Sequence, residues 1–131
     1  MSDHVSSAIA SLSNAFRRRD VQAALACFAD DPDSTYAGSE QGEVAVGPEA
    51  IRALLESVFA RHEAYSWVTH RVWSSARGDL RTVVAELTGT VHFDAGGAEC
   101  FAYRLSGVIR IENEVSRWLL CHGAEPTDRT S

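Results

Sequence analysis

"LRTVVAELTGTVHFD", residues 80–94, alternates in character from one residue to the next. Val83, Ala85, Leu87, Val91 and Phe93 fall on one side, and Glu86, Thr88, Thr90 and His92 on the other. A period of two is that of a β-strand, whose successive side chains point to opposite faces. The odd set is expected in the core and the even set on the outside, where it would meet solvent or a second copy of the chain. With the faces reversed, Glu86 and His92 would enter the interior. Six residues apart along one strand, they would still be too far apart for direct contact.

Outward from this stretch, the same period continues. "YSWVTHRVWSS" (65–75) precedes it across the turn "ARGD" and is rich in aromatic and β-branched residues. Tyr65, Trp67 and Trp73 share one parity, which supplies either core packing, a dimer surface or the wall of an aromatic site. "AECFAYRLSGVIRI" (98–111) follows the turn "AGG", and "VSRWLLCHG" (115–123) follows "ENE". Four consecutive strands with short links predict an antiparallel meander. The tail from residue 124, "AEPTDRTS", is expected to fray.

Before residue 64 the period is helical. Val5, Ala8, Ile9, Leu12 and Phe16 predict a helix over 4–18. Asp20 fits the N-cap of a short second helix whose apolar face is Val21, Ala24, Leu25 and Phe28. "DDPDS" stops it, because proline blocks continuation and aspartates favour turns. "STYAGS" and "EVAVG" read as short strands. Gly47-Pro48-Glu49 opens a third helix with Ile51, Leu54, Leu55 and Val58 inward. The layout is α+β: three helices covering one face of a strongly curved antiparallel sheet, one domain over residues 1–131, with a pocket at the open end.

Composition narrows the function classes. The chain has 131 residues, 45% hydrophobic, and a net charge of −6. That charge argues against nucleic acid as a partner. Arg17-Arg18-Arg19 suits the negative end of a helix dipole. No apolar run is long enough to span a bilayer, and the N-terminal stretch does not read as a secretory signal. Cys27, Cys100 and Cys121 are odd in number and scattered, which suggests free thiols in a reducing, cytoplasmic setting. The five histidines show no paired ligand spacing, so no metal is expected. Gly96 and Gly97 read as a hairpin turn rather than a phosphate loop, no Ser-His-Asp signature is present, and no cofactor is expected.

Three segments together, "ALACFADD", "GPEAIRALLESVF" and "YRLSGVIRI…RWLLCHGAEP", resemble the nuclear transport factor 2-like superfamily, and most of all its SnoaL-like group. The resemblance implies a cone-shaped fold, a pocket for a small apolar or aromatic molecule, and a homodimer. "FADD…GSE" is similar to the ketosteroid isomerase segment that carries the general base. Thr35, Tyr36 and Ala37 stand at the comparable positions, and no carboxylate falls there. The positions comparable to that family's oxyanion-hole tyrosine and second aspartate hold Leu12 and Ser106 or Gly107. Isomerase activity is therefore not carried over, and Asp30, Asp31 and Asp33 read as turn and cap residues.

The candidate catalytic residue is His122, near the end of the last strand, since imidazole titrates near neutral pH. The plainer reading is a histidine that ties down the chain end. Tyr36, Trp67, Tyr103 and Trp118 are the candidate substrate-binding residues, each equally able to be core. Three functions stay open: acid/base isomerisation, cyclisation or dehydration of an apolar metabolite; binding without catalysis; and an assembly module.

Overall fold

Nine elements follow one another along the chain in the computed structural model, which describes residues 3–127. They are α1 (Asp3–Arg18), α2 (Val21–Ala26), β1 (Thr35–Ala37), β2 (Val44–Val46), α3 (Pro48–Phe59), β3 (Glu63–Arg77), β4 (Leu80–Phe93), β5 (Ala98–Glu112) and β6 (Val115–Ala124). Residues 128–131 of the expected frayed tail lie outside the described residues.

The helix signals act as their chemistry dictates. Asp20 accepts the Ala23 amide at 3.1 Å and caps α2. Pro48 occupies the first turn of α3 with Glu49 beside it. Arg18 donates to the Asn14 carbonyl at 3.2 Å, near the end of α1. Arg19 then leaves the helix with φ 53° and reaches two other segments. It donates to Asp94 at 2.7 Å and to the Arg61 carbonyl at 2.8 Å. Phe28 lies past the end of α2, where it bridges to Trp118.

The six strands form one curved, unclosed sheet in the order β2-β1-β6-β5-β4-β3. β3 to β6 are the antiparallel meander, and β1 adds to β6 in parallel. Asp31 ties the turn before β1 to the sheet. It accepts the Asp33 amide at 2.8 Å and pairs with Arg110 at 2.9 Å.

The helices cover the concave face. Leu12, Ile51, Leu55, Leu105, Ile109 and Trp118 are fully enclosed there. In β4 the odd residues Val83, Ala85 and Leu87 are buried, as alternation requires. Two bulges break the alternation elsewhere. In β3 the register shifts between Thr69 and Arg71, so Trp67 faces inward while Trp73 is 46% exposed on the convex face. Tyr65, Trp67 and Trp73 therefore do not share a face. In β6 the register shifts as Ile109 pairs Trp118 and Val108 pairs Leu120, leaving Leu119 unpaired. Trp118, Cys121 and Gly123 are consequently the inward residues.

Among the described residues, no helix is long and apolar enough to cross a membrane.

Candidate functional site

A pocket of about 320 Å³ opens where the first residues of β3 and β5 meet the last of β4. α1 contributes Phe16, α3 contributes Val58, and the loop between β1 and β2 contributes Glu40 and Glu43. Its volume lies at the low end of the roughly 300–1,000 Å³ typical of small-molecule sites.

The deep wall is aromatic. Trp67 packs on Phe16 at 5.2 Å between centroids and on Tyr103 at 5.7 Å. Tyr36 stands edge-on to Phe16 at 6.1 Å, and Phe101 edge-on to Tyr103 at 5.6 Å. Two glycines make room for these rings. Phe101 lies over Gly89 of β4, and the Tyr103 hydroxyl lies against Gly123 of β6; a Cβ at either glycine would overlap the ring or the hydroxyl.

Three polar atoms belong to this wall. Burial pushes the Tyr36 phenol well above its usual range, with Tyr103, Cys121 and Glu43 adding to the rise. Burial likewise raises Tyr103, again with Cys121 and Glu43 nearby. Both phenols are thus protonated donors at neutral pH. The third atom is Trp67 Nε1, which is buried and has no hydrogen-bond partner among the described residues. Trp67 itself is 9% exposed.

The mouth is charged. Arg61 pairs with Glu43 at 2.9 Å and Glu40 at 3.4 Å. Tyr65 donates its hydroxyl to Glu63. Burial, and then that carboxylate, lift the Tyr65 phenol to about 12. Glu125, the first residue after β6, accepts from Ser39 at 3.4 Å and also reaches the pocket.

Of the five residues singled out in the sequence, the structure brings Tyr36, Trp67 and Tyr103 together around this pocket. Trp118 is elsewhere: fully buried beneath α1, its Nε1 donates to the Ala8 carbonyl at 3.3 Å. It is a core residue. His122 is exposed on the convex face of β6, because the bulge at Leu119 turns Cys121 and Gly123 inward in its place. The alternative pair is not in the pocket either. Glu86 meets Arg104 at 3.6 Å, and His92 meets Ser66 Oγ at 2.8 Å.

Periodicity alone does not single out the pocket carboxylates, although two of them stand on strand faces that it marks. Glu63 precedes Trp67 by four residues on one unbroken strand face, and Glu99 precedes Tyr103 in the same way. Glu43 and Arg61 lie in connections with no periodic signal.

Comparison with known proteins agrees with this architecture. The SnoaL-like domain model matches residues 9–118. The chain belongs to the SnoaL-like domain family. This SnoaL-like chain is similar in structure to a candidate aromatic ring hydroxylase from Novosphingobium aromaticivorans, with a TM-score of 0.80 and 18% identity over 95% of this chain and 88% of that one. It is similar to a candidate dehydratase of the nuclear transport factor 2-like family from Streptomyces avermitilis, with a TM-score of 0.77 and 15% identity over 96% of each chain. It is also similar to a ketosteroid isomerase-like protein from Erwinia carotovora atroseptica, with a TM-score of 0.74 and 20% identity over 95% of each chain. At these identities the likeness is one of fold. No functionally curated protein matches the SnoaL-like chain.

Proposed function

We propose that the pocket binds a compact aromatic or apolar molecule through a carbonyl or similar acceptor oxygen, and that it supports proton transfer next to that oxygen. The observation that carries this reading is the buried, unpartnered Trp67 Nε1 in the same wall as two protonated phenols. A buried donor without a partner costs roughly 1–3 kcal/mol, and an acceptor oxygen that reached Nε1 on binding would remove that cost. Donors aimed at an oxygen stabilise negative charge that develops on it when a neighbouring carbon loses a proton. Glu63 is the proton acceptor we assign, as a partly buried carboxylate of the lining. The reaction class is then isomerisation, cyclisation or dehydration by acid/base chemistry.

A second reading, binding without catalysis, is favoured by one observation. Glu43 is engaged by Arg61 and Glu63 by Tyr65, so both carboxylates already have partners.

Two measurements separate these outcomes. The first is titration of aryl ketones against their deoxy analogues, followed by tryptophan fluorescence. Ketones that bind no better than the deoxy compounds would sink the acceptor-oxygen reading. The second is NMR of hydrogen–deuterium exchange at the carbon next to the bound carbonyl. Exchange above the buffer rate supports proton transfer, and binding without exchange supports the second reading.

We also infer a homodimer through the convex sheet face. Val68 and Val84 are 65% and 40% exposed there, near Trp73. The three free cysteines fit a reducing, cytoplasmic setting.

A further inference from the structure

The lining of the pocket divides by chemistry. Seven of its residues are aromatic and five are glutamates. The glutamates are Glu40, Glu43, Glu63, Glu99 and Glu125, and among the described residues Arg61 is the single cationic residue of the lining. Five carboxylates less one guanidinium leave four formal negative charges around a cavity of about 320 Å³.

The arginine does not relieve this balance at the wall. Its guanidinium is held by Glu40 and Glu43 on the β1–β2 loop. Among the described residues, Glu63 and Glu99 have no basic partner. Glu63 lies two residues from Tyr65 and four from Trp67 on one strand face, and Glu99 stands in the same relation to Phe101 and Tyr103. Each carboxylate therefore begins a strand face that continues as aromatic wall.

Both halves of this lining select one sign of charge. The faces of Trp, Tyr and Phe rings are negative, and a cation over them gains roughly 0.5–2 kcal/mol, most where water is excluded. Carboxylates at the entrance attract the same cation and repel an anion, more strongly at lower effective dielectric than in water. An acidic rim above an apolar wall would be only a solvated edge. Here the wall is a continuous run of rings, and Trp67 Nε1 within it is buried and unpartnered.

We propose that the ligand is an organic cation: an aromatic or compact apolar skeleton bearing a protonated or quaternary amine, with its acceptor oxygen at the other end. The amine lies between the rings and Glu99, and the oxygen meets the donors of the wall at the other end. This rests on the ligand-binding reading of the same pocket and adds the charge of the ligand to it.

The test uses three ligands of matched shape. These are (4-acetylphenyl)trimethylammonium, its neutral isostere 4-tert-butylacetophenone, and 4-acetylbenzoate as the anion. Binding is measured by calorimetry on the intact protein. The cation is expected to bind at least about 10-fold tighter than the neutral ketone, a gain within the cation–π range. The anion is expected to bind weakest. Raising NaCl from about 0.01 M to about 1 M, which shortens the screening length from about 30 Å to about 3 Å, should shrink the preference. In Glu99→Gln, a change at an exposed residue, the ratio of cation to neutral-ketone affinity should fall. A neutral ketone that binds as tightly as the cation overturns the charge assignment and leaves the pocket reading standing. Failure of all three ligands to bind overturns both.

Discussion

Ser13 Oγ makes two hydrogen bonds to the backbone of Trp67. It donates to the Trp67 carbonyl at 3.1 Å and accepts the Trp67 amide at 2.9 Å. β3 is the edge strand of the sheet, and at this point α1 covers the edge. One hydroxyl thus satisfies both backbone groups of the residue that walls the pocket. Ser13→Ala leaves an amide and a carbonyl buried without partners, a loss of roughly 2–4 kcal/mol. Thermal unfolding should show a fall in Tm of about 8–15 °C. A fall of under about 2 °C would mean that water replaces the hydroxyl and that the contact does not hold the edge.

The thiols should separate by burial. Cys121 is fully enclosed, and burial raises its thiol far above the ordinary range. Burial pushes Cys27 up to about 11, with Arg117 opposing the rise. Cys100 is exposed. The thiolate is the reactive form, so a disulfide reagent at mild pH should modify one thiol per chain quickly and the other two only on unfolding. Cys100→Ser should remove the fast phase. Two fast thiols in the wild type would show that α2 opens to expose Cys27.

Alternation made most of the fold legible, and the breaks in alternation were what hid the rest. Val83, Ala85 and Leu87 could be placed inside because β4 keeps one register along its length. Parity groups Trp67 with Trp73, because nothing in "WVTHRVW" marks the bulge before Arg71. His122 shares parity with Trp118, which is buried, and would face inward if β6 were regular. Leu119 is a good strand residue whose failure to pair depends on β5, not on its own neighbours. Tyr36 and Tyr103 could be found because each sits on an unbroken strand face. The parallel pairing of β1 with β6 joins residues some eighty positions apart, and no local pattern encodes it.

Asp31 should couple stability to pH. The Asp33 amide, and then Arg110, hold its carboxyl below the usual carboxylate range. A folded pKa below the unfolded value of about 3.9 gives stabilisation that is fully present above that value. It is lost as pH falls through the folded pKa. Asp31→Asn should therefore be less stable than wild type at neutral pH in urea titrations. The gap between the two should close as the pH is lowered below about 4. A gap that persists unchanged in acid would assign the effect to the turn geometry and not to the charge.

The convex face should hold a second copy. Val68, at 65% exposed, lies on this face with Val84 at 40%. Light scattering coupled to size exclusion should give a dimer mass for the wild type. Val68→Arg places a charge on that face and should give a monomer with an unchanged circular dichroism spectrum, since the site is already open to solvent. A wild type that is monomeric at every concentration sinks the dimer.

Tyr36 and His122 make opposite predictions for ligand binding, and the comparison decides where the site is. Tyr36 and Tyr103 line the cavity and carry protonated phenols, so each hydroxyl should contribute one hydrogen bond to a bound oxygen. Tyr36→Phe and Tyr103→Phe keep the ring packing on Phe16 and Trp67, and each should weaken an aryl ketone by about 5- to 10-fold, the worth of roughly 1 kcal/mol. Their Tm should stay close to that of wild type, because among the described residues neither hydroxyl has a hydrogen-bond partner. His122 is exposed on the far face of β6, behind the inward Cys121 and Gly123. His122→Ala should leave the dissociation constant within about twofold, inside the usual range of a surface change. If His122→Ala lost binding while both phenylalanine variants kept it, the ligand would sit on the convex face, and the aromatic pocket would be only the inner wall of the core.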